Sequence, residues 1–134
     1  MSLRSGTRRL TQSISINATP EGLWDLITRI DTIADWYDSW DCVVSVDAEH
    51  HLREGTYFRL IRRHTRRTDE VAHCRVTEVL ELTRLQWMQS VPHEPIAAIA
   101  FELIPNTAAG TTELRHTRSW ITGQHLSAYN EGRP

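Results

Sequence analysis

The sequence predicts an α+β domain: a seven-stranded antiparallel sheet with two short helices after the first strand. Three observations predict it. Residues 11–17, TQSISIN, alternate apolar and polar side chains strictly, as a half-buried strand does. Residues 19–40, TPEGLWDLITRIDTIADWYDSW, change to helical spacing. From Asp41 to Ile121 the period of two returns, broken only by turns too short for parallel crossovers. One strand, two helices and six strands in that order set the helices on one face of a sheet.

The chain of 134 residues is the size of one domain. Residues 1–9 read as a loose tail and 10–134 as the domain. Ile14 and Ile16 share one face of the first strand, Ser13 and Ser15 the other. Thr19 is a helix cap, Pro20 suits the first helical position, and Glu21 favours the positive helix end. Leu23, Leu26, Ile27 and Ile30 recur at helical spacing as the buried stripe. Asp31 starts a second, shorter helix on which Ile33, Trp36 or Tyr37, and Trp40 continue the apolar face.

Six strands then follow, at 41–48, 55–63, 69–81, 84–91, 95–105 and 110–121. Arg53-Glu54-Gly55, Thr65-Arg66-Arg67 and Asn106 to Gly110 mark turns between them. Parity assigns the inward set: Phe58, Leu60 and Arg62; Leu85 and Trp87; Ala97, Ile99, Phe101 and Leu103; Leu114, His116, Arg118 and Trp120. In 69–81, Ala72, Cys74, Val76 and Glu78 share a face, but Val79 breaks the parity and implies a bulge.

Composition excludes several classes of function. All fifteen basic residues are arginine, so no lysine can form a Schiff base. A net charge of −2 gives no reason to expect nucleic acid. The arginine-rich run 59–67 reads as a phosphate patch or as a solvated hairpin turn. No apolar run reaches the roughly 20 residues of a membrane span, the N-terminus lacks a secretory h-region, and a cytoplasmic location is expected. Cys42 and Cys74 lack metal-ligand spacing, no H-x-x-x-H occurs, and neither a metal nor a cofactor is expected.

Three phrases carry a family resemblance: INATPEGLWDLITRIDTIADWY (16–37), CRVTEVLELTRLQW (74–87) and FELIPNTAAGTTELRHT (101–117). Together with the element order they resemble the START-like helix-grip superfamily over residues 10–121, in its bacterial polyketide cyclase/dehydrase branch. The resemblance implies a curved sheet around a long C-terminal helix, with a cavity for apolar small molecules such as lipids, quinones, polyketides or hormones. The chain departs from that pattern at its end. After Trp120 only ITGQHLSAYNEGRP follows, about 20 Å even if wholly helical. The C-terminal helix is therefore short or truncated, with two turns around Leu126 and Tyr129 at most. An open cavity or a covering second subunit follows, so a homodimer is expected.

If the cavity takes a flat apolar ligand, Trp36, Tyr37, Trp40 and Trp87 rim it, with Phe58, Leu60, Ile99 and Phe101 on the wall. Its polar groups are Arg62, His116 and Arg118. An imidazole near its ordinary range serves as acid or base, and a guanidinium two residues away holds an oxyanion. That pairing suits cyclisation or dehydration of a poly-ketone. The competing reading has the tryptophans filling core, with His116 and Arg118 reaching water or pairing with Glu78. Three functions stay open: a cyclase or dehydratase, a carrier or sensor of a small hydrophobic molecule, and a protein-interaction module with a filled cavity.

Overall fold

Strand pairing in the structure, a computed structural model describing residues 7–45 and 50–121, follows the predicted parity closely. Seven strands, β1 (Thr7–Ile16), β2 (Cys42–Ser45), β3 (Tyr57–Arg62), β4 (Glu70–Leu80), β5 (Arg84–Ser90), β6 (Ala97–Asn106) and β7 (Thr111–Ile121), form one sheet. Their order is β1-β7-β6-β5-β4-β3-β2, every neighbouring pair antiparallel. Strands β2 to β7 therefore run as a meander, with connections of three to seven residues after β3 and a longer one between β2 and β3. β1 closes beside β7, with Ile14 opposite Leu114 and Gln12 opposite His116. β1 starts at Thr7, so residues 7–9 belong to the sheet and not to the predicted tail.

Helix α1 (Pro20–Thr28) begins as its sequence dictates: the Thr19 hydroxyl accepts the Gly22 N–H at 3.0 Å, with Pro20 at the first position. It ends earlier than the apolar spacing implied. Arg29 is extended and bridges to His51, while the Leu52 N–H bonds the Thr28 carbonyl at 2.7 Å. The stripe therefore does not run unbroken to Ile30. Leu23, Trp24, Ile27 and Thr28 are the buried residues of α1, and the predicted stripe member Leu26 is exposed. A single 3-10 turn, Ile30–Thr32, leads into the four-residue helix α2 (Ile33–Trp36). Tyr37 caps α2, and Trp40 lies beyond two left-handed residues, Asp38 (φ 53°) and Ser39 (φ 59°), not on the helix. Its ring is buried all the same.

The bulge implied by Val79 is present as a register shift between Val76 and Glu78. It leaves Ala72, Cys74 and Val76 in the core but turns Glu78 to the opposite face, where it meets Arg84 at 2.7 Å. The arginine-rich run divides: Arg62 ends β3 on the core side, and Arg66 and Arg67 lie exposed in the connection to β4. Among the described residues no helix is long and apolar enough to cross a membrane. The expected C-terminal helix around Leu126 and Tyr129 lies outside the described residues.

Candidate functional site

Period-two geometry brings the chosen side chains onto one face of the sheet. Cross-strand register sets Phe101 opposite His116, Ile99 opposite Arg118 and Trp87 opposite Ile99. Phe58 and Leu60 join them from β3, and α2 with the loop after it lays Trp36, Tyr37 and Trp40 over this face. The rings then meet mostly edge to face, the arrangement their quadrupoles favour. Tyr37 stands against Trp87 at 5.3 Å and Trp36 against Phe101 at 5.2 Å. Phe58 stands against Trp87 at 5.2 Å. His116 stacks flat on Phe101, 4.8 Å between centroids, and meets Tyr37 edge-on at 5.9 Å.

The predicted ligand-binding set separates into two groups. Phe58, Leu60, Trp87, Ile99 and Phe101 are packed core, at most 2% exposed. Tyr37 and Trp40 are buried above them, and Trp36, Arg62, His116 and Arg118 are half-buried around that centre. Cavities lined by described residues lie on other faces, one beside Ile30, Asp35 and His50, another outside the sheet between Arg84, Ala98 and Arg115.

A polar thread runs through the aromatic cluster. The Tyr37 hydroxyl donates to Gln89 Oε1 at 3.1 Å and accepts from Arg118 Nη2 at 2.9 Å. Trp87 Nε1 donates to the same Gln89 oxygen at 3.1 Å, and the Cys74 thiol faces it at 3.8 Å. Arg118 Nη2 also reaches Asp38 Oδ2 at 3.1 Å. The alternative partner considered for Arg118, Glu78, is on the other side of the sheet because of the bulge. Arg62 lies 4.2 Å over the Trp40 ring, donates to the Asp38 carbonyl at 2.8 Å, and pairs with Glu70 at 2.9 Å.

Among the described residues, three buried polar atoms in this region have no hydrogen-bond partner: Trp36 Nε1, Trp40 Nε1 and His116 Nε2. Buried polar groups are satisfied nearly everywhere in native proteins, so three orphans at one site call for a reason. The electrostatics are uneven. Burial, then the Arg118 charge, lowers the His116 pKa, with Asp38 opposing; the ring is neutral at pH 7. Burial works against the Arg118 charge, but Tyr37 and Asp38 outweigh it and its pKa rises. Burial raises Tyr37 and Cys74 far above their ordinary values, so both stay protonated. A buried thiol of that kind is a small hydrophobe, not a nucleophile.

Gln89 and Asp38 belong to the site, and sequence reasoning missed both. Extending the inward parity of Leu85 and Trp87 by one step reaches Gln89. Asp38 carried no such signal, since its position depends on two left-handed residues after α2.

Comparison with known proteins agrees with this architecture. Among curated proteins none matches the chain. Solved structures share the fold at low identity. A Rhodobacter sphaeroides protein is 20% identical at a TM-score of 0.66, covering 90% of this chain and 77% of its own. A Rhizobium loti protein is 12% identical at 0.65, covering 97% and 92%. The Zhui aromatase/cyclase of a Streptomyces strain is 15% identical at 0.68, covering 88% and 70%. The family model described as Activator of Hsp90 ATPase homolog 1-like protein matches residues 17–132. The chain thus belongs to the Activator of Hsp90 ATPase homolog 1-like family, within the START-like helix-grip superfamily.

Proposed function

We propose that the aromatic face of the sheet binds a small hydrophobic molecule, aromatic or polyketide-like, and that His116 and Arg118 act on it. The observation that carries this reading is His116 Nε2, without a partner among the described residues, buried beside a charged guanidinium on a ring stacked on Phe101. A neutral imidazole with an unused ring nitrogen can take a proton from carbon next to a ketone. The electron pair then moves onto the ketone oxygen, where Arg118 balances the charge. The enolate carbon attacks a second carbonyl, the new alkoxide is protonated, and loss of water completes a cyclisation. Likeness in fold to the Zhui aromatase/cyclase supports a small-molecule role of this kind. A carrier or sensor would use the same face without turnover.

Native mass spectrometry of the purified chain tests the reading, with a bound small apolar molecule as the expected result. A bare chain that also fails to bind phenylnaphthylamine, a neutral fluorescent probe, overturns it. With a substrate in hand, His116→Ala is expected to abolish turnover and leave binding in place; an unchanged rate removes the catalytic role. A second reading, a module that contacts another protein with its interior filled, is favoured by the dense packing of Phe58, Trp87 and Phe101. The matched family is named for activation of a chaperone ATPase, which would be the partner. Either way the chain is proposed to work at least as a dimer, because Leu10 and Ile14 are each 61% exposed.

A further inference from the structure

One carboxylate, Asp38, stands between two guanidinium groups that come from distant strands. Arg118 on β7 reaches Asp38 Oδ2 at 3.1 Å, and Arg62 on β3 lies 3.9 Å from the same oxygen. Arg118 is otherwise bonded to the Tyr37 hydroxyl, and Arg62 lies over the Trp40 ring and pairs with Glu70 at 2.9 Å. The Asp38 side chain is 44% exposed, so its ion pairs are screened by water and weak. Asp38 and Ser39 both hold a left-handed conformation, which aspartate tolerates better than serine but which still costs backbone energy. Strained backbone of this kind concentrates at ligand clamps and switches. Two residues to either side of it in the chain stand Trp36 and Trp40, whose buried indole N–H groups have no partner among the described residues, Trp40 being only 5% exposed.

Resting on the proposed binding of a hydrophobic molecule, we infer that this molecule is an amphiphilic organic acid whose oxyanion head replaces the Asp38 carboxylate on Arg118 and Arg62. Asp38 is then an internal stand-in for the ligand's own head group. It neutralises Arg118 and, together with Glu70, Arg62 while the face is empty, and it competes with the ligand when it arrives. An entering acid has an advantage Asp38 lacks, because its apolar body rests on the aromatic rings while its head excludes water from the guanidinium groups. An oxyanion bonded to two guanidinium groups is also the type of pairing in which charge-assisted hydrogen bonds are strongest.

The consequence is unusual in sign: removing a charged residue of the site tightens binding, and only for acids. Two fluorescent probes with the same apolar body separate the effects, anionic anilinonaphthalenesulfonate and neutral phenylnaphthylamine. Asp38→Asn keeps the shape and suits a left-handed backbone. It is expected to raise the ratio of anionic to neutral probe affinity about fivefold. Arg118→Gln is expected to lower the same ratio by on the order of tenfold, and the gain from Asp38→Asn should vanish in the double variant. A loosened fold would raise the affinity of both probes together, leave their ratio unchanged and overturn the inference. So would neutral-probe binding with no response of the ratio to either substitution, while leaving the proposed hydrophobic site intact. If wild type and variants bind neither probe, the site and the inference fall together.

Discussion

His116 combines two features in one ring: it stacks on Phe101 and carries a buried nitrogen with no partner among the described residues. Its lowered pKa, caused first by burial and then by Arg118, ties it to the pH dependence of stability. In the unfolded chain the ring titrates near its ordinary value of about 6.5. Below that pH the unfolded state holds a proton that the folded state refuses, so stability rises with pH across the interval and is lost as pH falls. The unfolding midpoint should therefore drop as the buffer is taken from neutral to mildly acidic. His116→Phe retains the stack and removes the proton, so the variant's curve should be flatter than wild type's over that interval. Parallel curves would show that this imidazole does not titrate as its surroundings dictate. The inward placement of His116 and Arg118 was legible because they share the parity of Leu114 and Trp120 along one strand. The polar network around them was not, because Asp38 reaches Arg118 across 80 residues and Gln89 reaches Tyr37 across 52.

Elements were legible wherever local chemistry decides them. The cap at Thr19, the bulge signalled by Val79 and the turn ending at Gly110 each rest on a few neighbouring residues, and each is where its sequence put it. The end of α1 was not legible, because His50, His51 and Leu52 interrupt it from far along the chain through hydrogen bonds to Ile30 and Thr28 and a bridge at Arg29. The last turn also yields a clean test. Gly110 closes the connection between β6 and β7 with φ +70°, and an added Cβ would meet nothing within 4 Å. Gly110→Ala therefore meets no steric clash with neighbours, and its cost is that of the left-handed backbone alone, about 1 kcal/mol. Gly110→Asn should cost less, since asparagine tolerates that region. Urea unfolding of the three proteins measures both. An alanine variant as stable as wild type would mean that the turn relaxes to another conformation.

At the scale of the whole molecule, the order of β2 to β7 follows from connections too short for anything but antiparallel neighbours, whereas the closure of β1 on β7 is long-range and no local spacing announced it. That closure makes β1 an edge of the sheet, ten residues long, with Leu10 and Ile14 on the same face as Leu114. Edge strands offer a row of unpaired backbone groups, and natural proteins usually blunt them with charge or cover them. Here Arg8 and Arg9 blunt one end, while the remainder carries two large apolar side chains, each 61% exposed. Burying both side chains would contribute at most roughly 3–6 kcal/mol per copy, about what association itself costs, so the strand pairing that the same edge allows is needed as well. The two contributions together predict a dimer joined along β1, and light scattering should return twice the mass of 15.5 kDa. Replacing Leu10 and Ile14 together with glutamate places like charges across the joint and should return the monomer mass, with the midpoint of unfolding no longer dependent on protein concentration. A wild-type chain of monomer mass at the highest soluble concentration would overturn the dimer. A dimer untouched by the double substitution would move the interface to another face of the sheet.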